Sequence, residues 1–412
     1  MKAELLDKFF SKCVYAISFF LFSGFYAVLA LAITFFGSGG SRLVTVPMRL
    51  LTTTLMLVVI ALTFLKKREP QQKLQVVNFI FLLFWSFYFL KIFWHWNSGE
   101  PLRSAWFEYI FYAINFAILP FYMFGRISFA KHKKTIIDAL IFSGFAMGVT
   151  TLYLYKDILM AGVSRINLYI YQNPDFESLS PLSLSYASVL TIVLCVYQLL
   201  YSNRKLKTYR IYLLLTIGLS LVMFLLGASR GSLLGLAVSI LYLVIQSNYK
   251  MKIKWVILVI GFIPIFIWSV AVSGSSIIER TTSAIGGGST GREELWSNAF
   301  SEFIANPIVG GRIEIGFYPH NMILEILMAT GLIGLLIISI LFVKGFIRIS
   351  YLPKLDSDYL WVAIIFLQGF CQYFFSAALY QSTLVFFPLG IILAAQGKKK
   401  HEKMDSELEL RK

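Results

Sequence analysis

Residues 289–334 read STGREELWSNAFSEFIANPIVGGRIEIGFYPHNMILEILMATGLIG, a polar interruption in an otherwise hydrophobic chain. Thr290 followed by Glu293 fits a capping box and predicts a helix opening near Gly291, after the Gly286-Gly287-Gly288 turn element. Leu295, Trp296, Ala299, Phe300, Phe303 and Ile304 recur at helical spacing, with Glu294, Asn298 and Glu302 elsewhere. Pro307 ends the pattern. The reading is a short amphipathic helix lying on a membrane surface. Arg292 would sit in its first turn, where the helix dipole disfavours a cation unless an anion joins it. A solvated or snorkelling arginine is the alternative. After the Gly310-Gly311 turn, His320 and Asn321 lead into a long apolar run.

The rest of the chain sets the context. It has 412 residues, 58% hydrophobic and 14% charged, with mean hydropathy +0.73. Soluble domains carry about 25% charged residues. The composition predicts an all-α polytopic membrane protein, forming one integral membrane domain over 1–412. Twelve apolar stretches approach spanning length: 13–36, 43–65, 74–95, 106–124, 136–155, 181–201, 208–227, 231–247, 253–273, 320–343, 358–378 and 381–396. Glu4 and Asp7 ahead of the first run argue for an uncleaved span rather than a signal peptide.

Lysine and arginine then set orientation. With both termini in the cytoplasm, 27 of the 37 basic residues fall in cytoplasmic segments. The net charge of +16 is thus topological, suited to an anionic inner leaflet rather than to nucleic acid. Two sizeable external loops follow, 156–180 and 274–319, and 398–412 is a solvated cytoplasmic tail. Cys13, Cys195 and Cys371 lie far apart in apolar runs, which suits core packing and gives neither a disulfide framework nor a metal site. No nucleotide-binding motif or metal-ligand spacing is present, so neither cofactor nor metal is expected.

Three residues stand out on the external side. Arg230, in GASRGSLLG between two spans, either snorkels or faces an anionic ligand. Arg292 poses the same choice. His320 can take up a proton near neutrality, or can be a satisfied helix-end histidine. Arg165, Arg312, Asn321 and Glu325 are supporting candidates, and a carboxylate as deep as Glu325 is costly unless it faces the interior. Arg49, Lys91, Arg103 and Glu108 add rim charges that suggest a wet cavity open to the outside.

SRGSLLG at a span junction, GREELWSNAFSEFIANPIVGG, and PHNMILEILMATGLIG together resemble the O-antigen ligase and Wzy-type polymerase superfamily. The resemblance covers Gly227–Gly334. The turn reads Pro-Ile-Val-Gly-Gly, a slight departure from the family pattern, and Arg165 with Asn173-Pro174 is similar to the family's other external loop. The resemblance implies a GT-C-like glycosyltransferase of the bacterial inner membrane, with its active site on the periplasmic face. It implies an undecaprenyl-diphosphate-linked oligosaccharide donor and a glycan acceptor, either the next carrier-linked repeat (polymerase) or lipid A-core (ligase). It assigns Arg230 and Arg292 to the diphosphate and His320 to activation of the acceptor hydroxyl, without metal, and admits a chain-length regulator as partner. The short Pro307–His320 segment favours polymerase. A polysaccharide flippase is the competing class, but a transporter should show repeated halves and midplane breaks, and no internal repeat is visible.

Overall fold

The computed structural model describes residues 2–37, 40–65, 72–160, 179–202, 204, 206–273, 282 and 292–395. Asn173, Pro174, Arg165, Gly286–Gly288, Thr290 and the tail 398–412 lie outside these residues. Every described element is helical. In chain order they are α1 Lys2–Phe20, α2 Ser23–Phe36, α3 Gly40–Leu65, α4 Gln72–Asn97, α5 Trp106–Ala113, a π-turn Ile114–Ile118, α6 Leu119–Arg126, α7 Phe129–Leu154, α8 Lys156–Met160, α9 Pro181–Tyr201, α10 Lys207–Gly227, α11 Arg230–Gln246, α12 Tyr249–Ser273, α13 Arg292–Ala305, α14 Met322–Leu355, α15 Tyr359–Phe375, a 3-10 turn Leu379–Gln381 and α16 Thr383–Ala394.

The chain is an all-helical polytopic membrane protein. Among the described residues, eight helices are long and apolar enough to cross a bilayer, and α1 with α2 makes a ninth if counted as one span. Of the twelve expected stretches, eight are these helices and the other four are built differently. The stretch 13–36 is bent by 66° between α1 and α2. The stretches 231–247, 358–378 and 381–396 form the shorter helices α11, α15 and α16.

α15 and α16 form a hairpin in the centre of the bundle. At 1.5 Å per residue their 17 and 12 residues reach about 26 and 18 Å, short of the ~30 Å hydrocarbon core. They persist because they are enclosed by protein: α15 packs on α11, and α16 packs on α6 and α14. The hairpin's base lies at the basic end of the bundle, where Arg348 Nη1 donates to the carbonyls of Ile392, Leu393 and Ala395, each at 2.9 Å. Lys133 bridges Asp356 (3.1 Å) and Asp358 (2.5 Å) at the same end. The hairpin's tip is pinned from α14. There Glu325, fully buried, accepts from the Leu379 N–H (2.7 Å) and the Tyr88 hydroxyl (3.3 Å). Tyr373 O–H donates to the Gln381 carbonyl at 2.6 Å. A backbone turn inside a membrane protein must find such partners, because hydrocarbon offers none.

α14 is itself interrupted. Gly331 has φ 62°, outside helical space, so the N–H groups following it lose their intrahelical acceptors. The turn after α13 supplies replacements. Leu332 N–H donates to the Pro307 carbonyl (2.9 Å) and Ile333 N–H to that of Ile308 (3.1 Å). Gly311 N–H answers by donating to the Met328 carbonyl (2.8 Å). The exchange requires close backbone contact at two glycines. A Cβ on Gly310 (φ 72°) would stand 2.5 Å from Ala329 C, and one on Gly331 would stand 2.5 Å from Gly310 N. Lys91 caps the junction through the Gly310 carbonyl (2.8 Å). Gly310→Ala and Gly331→Ala should each destabilise the protein by about 1–3 kcal/mol from the backbone conformation alone, with the clash adding to it. Thermal unfolding of the detergent-solubilised protein measures this. Gly218→Ala, at a helical site with open space, is the matched control and should not lower the midpoint.

Candidate active site

Several helix N-termini meet at the end of the bundle opposite Lys133 and Arg348. The first belongs to α11. Ala228 takes a left-handed conformation (φ 44°) to end α10, and the chain restarts as α11 at Arg230. This junction is threaded against α9: Ser229 N–H donates to Ser185 Oγ (3.1 Å), and the Tyr186 hydroxyl bonds the Ser229 side chain. A Cβ at Gly231 would collide with the Tyr186 hydroxyl. The GASRG stretch is therefore small because α9 lies across it.

The second N-terminus is that of α13, whose first residue is Arg292. The amphipathic face predicted from sequence is divided. Ala299 is buried and Leu295, Trp296 and Phe303 are partly buried, whereas Phe300 and Ile304 are exposed together with Ile308 and Val309. Trp296 fastens the helix in place: its Nε1–H donates to the Pro319 carbonyl (2.9 Å), and its ring meets Phe374 edge-on (6.3 Å). Arg292 is thereby held beside Tyr186, Arg230 and His320. Burial lowers its pKa from the usual arginine value; Tyr186 opposes that shift and Arg230 adds to it. Two guanidiniums half out of water and near one another make a site that favours an anion.

His320 stands at the third N-terminus. It has φ 54°, in the left-handed region, and immediately precedes Asn321, which caps α14 by accepting from Ile323 N–H (3.0 Å) and Leu324 N–H (3.2 Å). Its ring lies 5.0 Å from Phe317 and 4.6 Å from Tyr318, and its buried Nδ1 has no partner among the described residues. Burial, then Arg292, then Arg103 push its pKa down to about 4. At neutral pH the ring is uncharged and able to accept a proton.

A cavity of about 290 Å³ opens at His320. Tyr186, Tyr318, Arg49, Gln372 and Ser376 line it, with the α1–α2 break at Leu21-Phe22 forming another wall. The hairpin tip between α15 and α16 also lines it through Ala377 and Gln381. Sequence reading missed Tyr186 and the tip. A tyrosine or serine in an apolar helix carries no signal to distinguish it from packing, and the tip was hidden in two runs of near-spanning length.

The other sequence candidates are placed elsewhere. Glu325 is committed to Leu379 and Tyr88, so it shapes the cavity's tip rather than touching His320. Asn321 caps α14. Arg312 pairs with Glu302 on an exposed turn (Nη2–Oε2 2.8 Å, Nε–Oε2 3.1 Å). Arg165 lies outside the described residues. Of the rim charges, Arg49 lines the cavity, Lys91 caps Gly310, and Arg103 stacks on Phe317 (4.7 Å).

Residues 215–339 match the family model described as O-antigen ligase, a segment that contains Arg230, Arg292 and His320. That segment, less than a third of the chain, is similar to the O-antigen ligase family, as its motifs led us to expect. No curated protein and no solved structure matches the chain. The electrostatics of the site make a direct expectation. In an NMR titration of ring-labelled histidine, assigned with a His320→Gln variant, the His320 signal should move with a midpoint near 4. Arg292→Gln removes a positive neighbour, so the midpoint should rise; an unchanged midpoint would separate the two groups.

Proposed function

We propose that the protein transfers an oligosaccharide from undecaprenyl diphosphate to a glycan hydroxyl, on the periplasmic face of the bacterial inner membrane. One observation carries this reading: Arg292 lies within electrostatic reach of both Arg230 and an uncharged His320, and His320 lines the cavity. The basic residues concentrated at the other end of the bundle support the orientation, with both termini in the cytoplasm.

In the proposed reaction the acceptor hydroxyl oxygen forms a bond to the donor's anomeric carbon. The bond between that carbon and the phosphate oxygen breaks, and undecaprenyl diphosphate leaves. Arg230 and Arg292 offset the charge growing on the leaving diphosphate, the task of preorganised donors in a low-dielectric site. His320 takes the hydroxyl proton. Its low pKa in the free protein follows from burial and then from the facing cations, and an arriving diphosphate opposes the cations' field and strengthens the base. Because the leaving group is stabilised by guanidiniums, the reaction needs no metal.

A Wzy-type polymerase, extending one carrier-linked repeat with another, is the preferred form, on the shortness of the Pro307–His320 segment. The second form is a ligase acting on lipid A-core. Complementation of a null strain read on glycan gels separates them. Single-repeat lipopolysaccharide in the null strain identifies a polymerase; loss of all attached O-chain with carrier-linked polymer still made identifies a ligase.

His320→Ala should abolish transfer while the protein still inserts, and near-normal activity would remove it as base. Arg230→Lys and Arg292→Lys should each fall by about tenfold or more, because an ammonium does not reproduce the planar guanidinium fork. Activity should survive excess chelator.

A further inference from the structure

The cavity holds an arginine that the proposed chemistry does not use. Arg49 projects from α3 and is wedged among three rings, Tyr112 (5.0 Å), Phe25 (5.3 Å) and Phe116 (5.9 Å). Its Nη1 donates to the Tyr112 hydroxyl (3.1 Å), while its Nε is buried with no partner among the described residues. No Asp or Glu lines the cavity among those residues, and Arg49 supplies its one lysine or arginine side chain. A charged group inside a spanning helix that faces a cavity rather than lipid marks a ligand path.

Other cavity groups are also unsatisfied. Ser376 is 2% exposed, and its Oγ has no partner among the described residues. Gln372 Oε1 is buried and likewise unpartnered, as is His320 Nδ1. Buried polar atoms are ordinarily paired, so four of them on one cavity call for a polar ligand. Aromatic walls with a few convergent hydroxyl, amide and guanidinium groups suit a sugar ring. The volume, at the lower end of small-molecule sites of about 300–1,000 Å³, suits part of a repeat unit rather than all of it.

We infer that this cavity is the subsite for the acceptor's reacting sugar, and that Arg49 selects a sugar bearing a carboxylate. The acceptor assignment rests on the function proposed above: the attacking hydroxyl must reach His320, and His320 lines this cavity. The carboxylate assignment rests on Arg49 itself. A guanidinium clamped by rings, with no acidic partner in the cavity, matches a planar carboxylate in a way that a hydroxyl or ammonium group does not. Ser376 and Gln372 then meet the ring hydroxyls.

The test uses the full-length protein in nanodiscs and short fragments released from the finished polysaccharide. The fragments are offered either native or with each carboxylate reduced to a primary alcohol. Calorimetry should show the native fragment binding the unaltered protein about tenfold more tightly than the reduced one, as expected for loss of a charged hydrogen bond. Arg49→Gln should bind both forms equally weakly. Arg49→Lys, which keeps the charge, should retain part of the preference and serves as the folding control. A polysaccharide without carboxylate, equal behaviour of the two fragments with the unaltered protein (including no measurable binding of either), or an undiminished preference in Arg49→Gln would each overturn the inference. His320→Ala, run in parallel in the transfer assay, tests the underlying reaction separately. Activity there would sink the base reading, whereas fragment preference is read by binding alone.

Discussion

The site depends on an exchange of backbone hydrogen bonds between the Pro307–Gly311 turn and the break at Gly331. A helix that breaks inside a membrane leaves donors that lipid cannot satisfy, and each costs several kcal/mol if left so. Here the carbonyls of Pro307 and Ile308 take the place of the missing helical acceptors. The turn therefore cannot move without exposing the break, and the break cannot close without expelling the turn. α13 leads into that turn and the half-helix carrying His320 follows it, so this one contact fixes Arg292 and His320 relative to each other. Trp296 bonding to Pro319 closes the loop from the other side.

A second constraint governs the cavity. Its walls come from elements distant in sequence: the bend between α1 and α2, the π-turn after α5, the start of α9, and the tip between α15 and α16. Glu325 joins this set to the half-helix that follows His320. Its carboxylate lies within α14 but holds Leu379 of the hairpin tip. The same short segment thus presents the proposed base at its head and sets the opposing surface with its first inward carboxylate.

The sequence made some of this visible. In a chain this apolar, Arg230, Arg292 and His320 are conspicuous because each charge or imidazole near lipid needs a reason. Positive-inside counting placed all three at one end, and the structure brings them together. The surface helix was legible as a period, although its apolar face proved to serve two surroundings, protein for Trp296 and Ala299 and the exterior for Phe300 and Ile304. Non-local events were not legible. The Leu21-Phe22 bend runs into Ser23-Gly24, where a Cβ on Gly24 would crowd the Phe19 carbonyl oxygen, but one glycine in an apolar run does not by itself announce a break, and the Gly331 break exists only because a loop fills it. Hydropathy measures length and composition, so α15 and α16 read as spans. Glu325 was recognised as too costly to face lipid, but its partner is a backbone N–H that no side-chain pattern reveals.

The shortness of α15 and α16 bears on how the molecule is built. A 12-residue helix joined to a bare polar turn is a poor candidate for independent residence in lipid. Its stability comes from the chamber formed by α4, α6, α11 and α14, all earlier in the chain. During synthesis from the N-terminus that chamber can be assembled before the hairpin emerges. The hairpin would then enter as a plug, its tip captured by Glu325 and its base closed by Arg348. Completion of the cavity would then wait on the docking of these two helices.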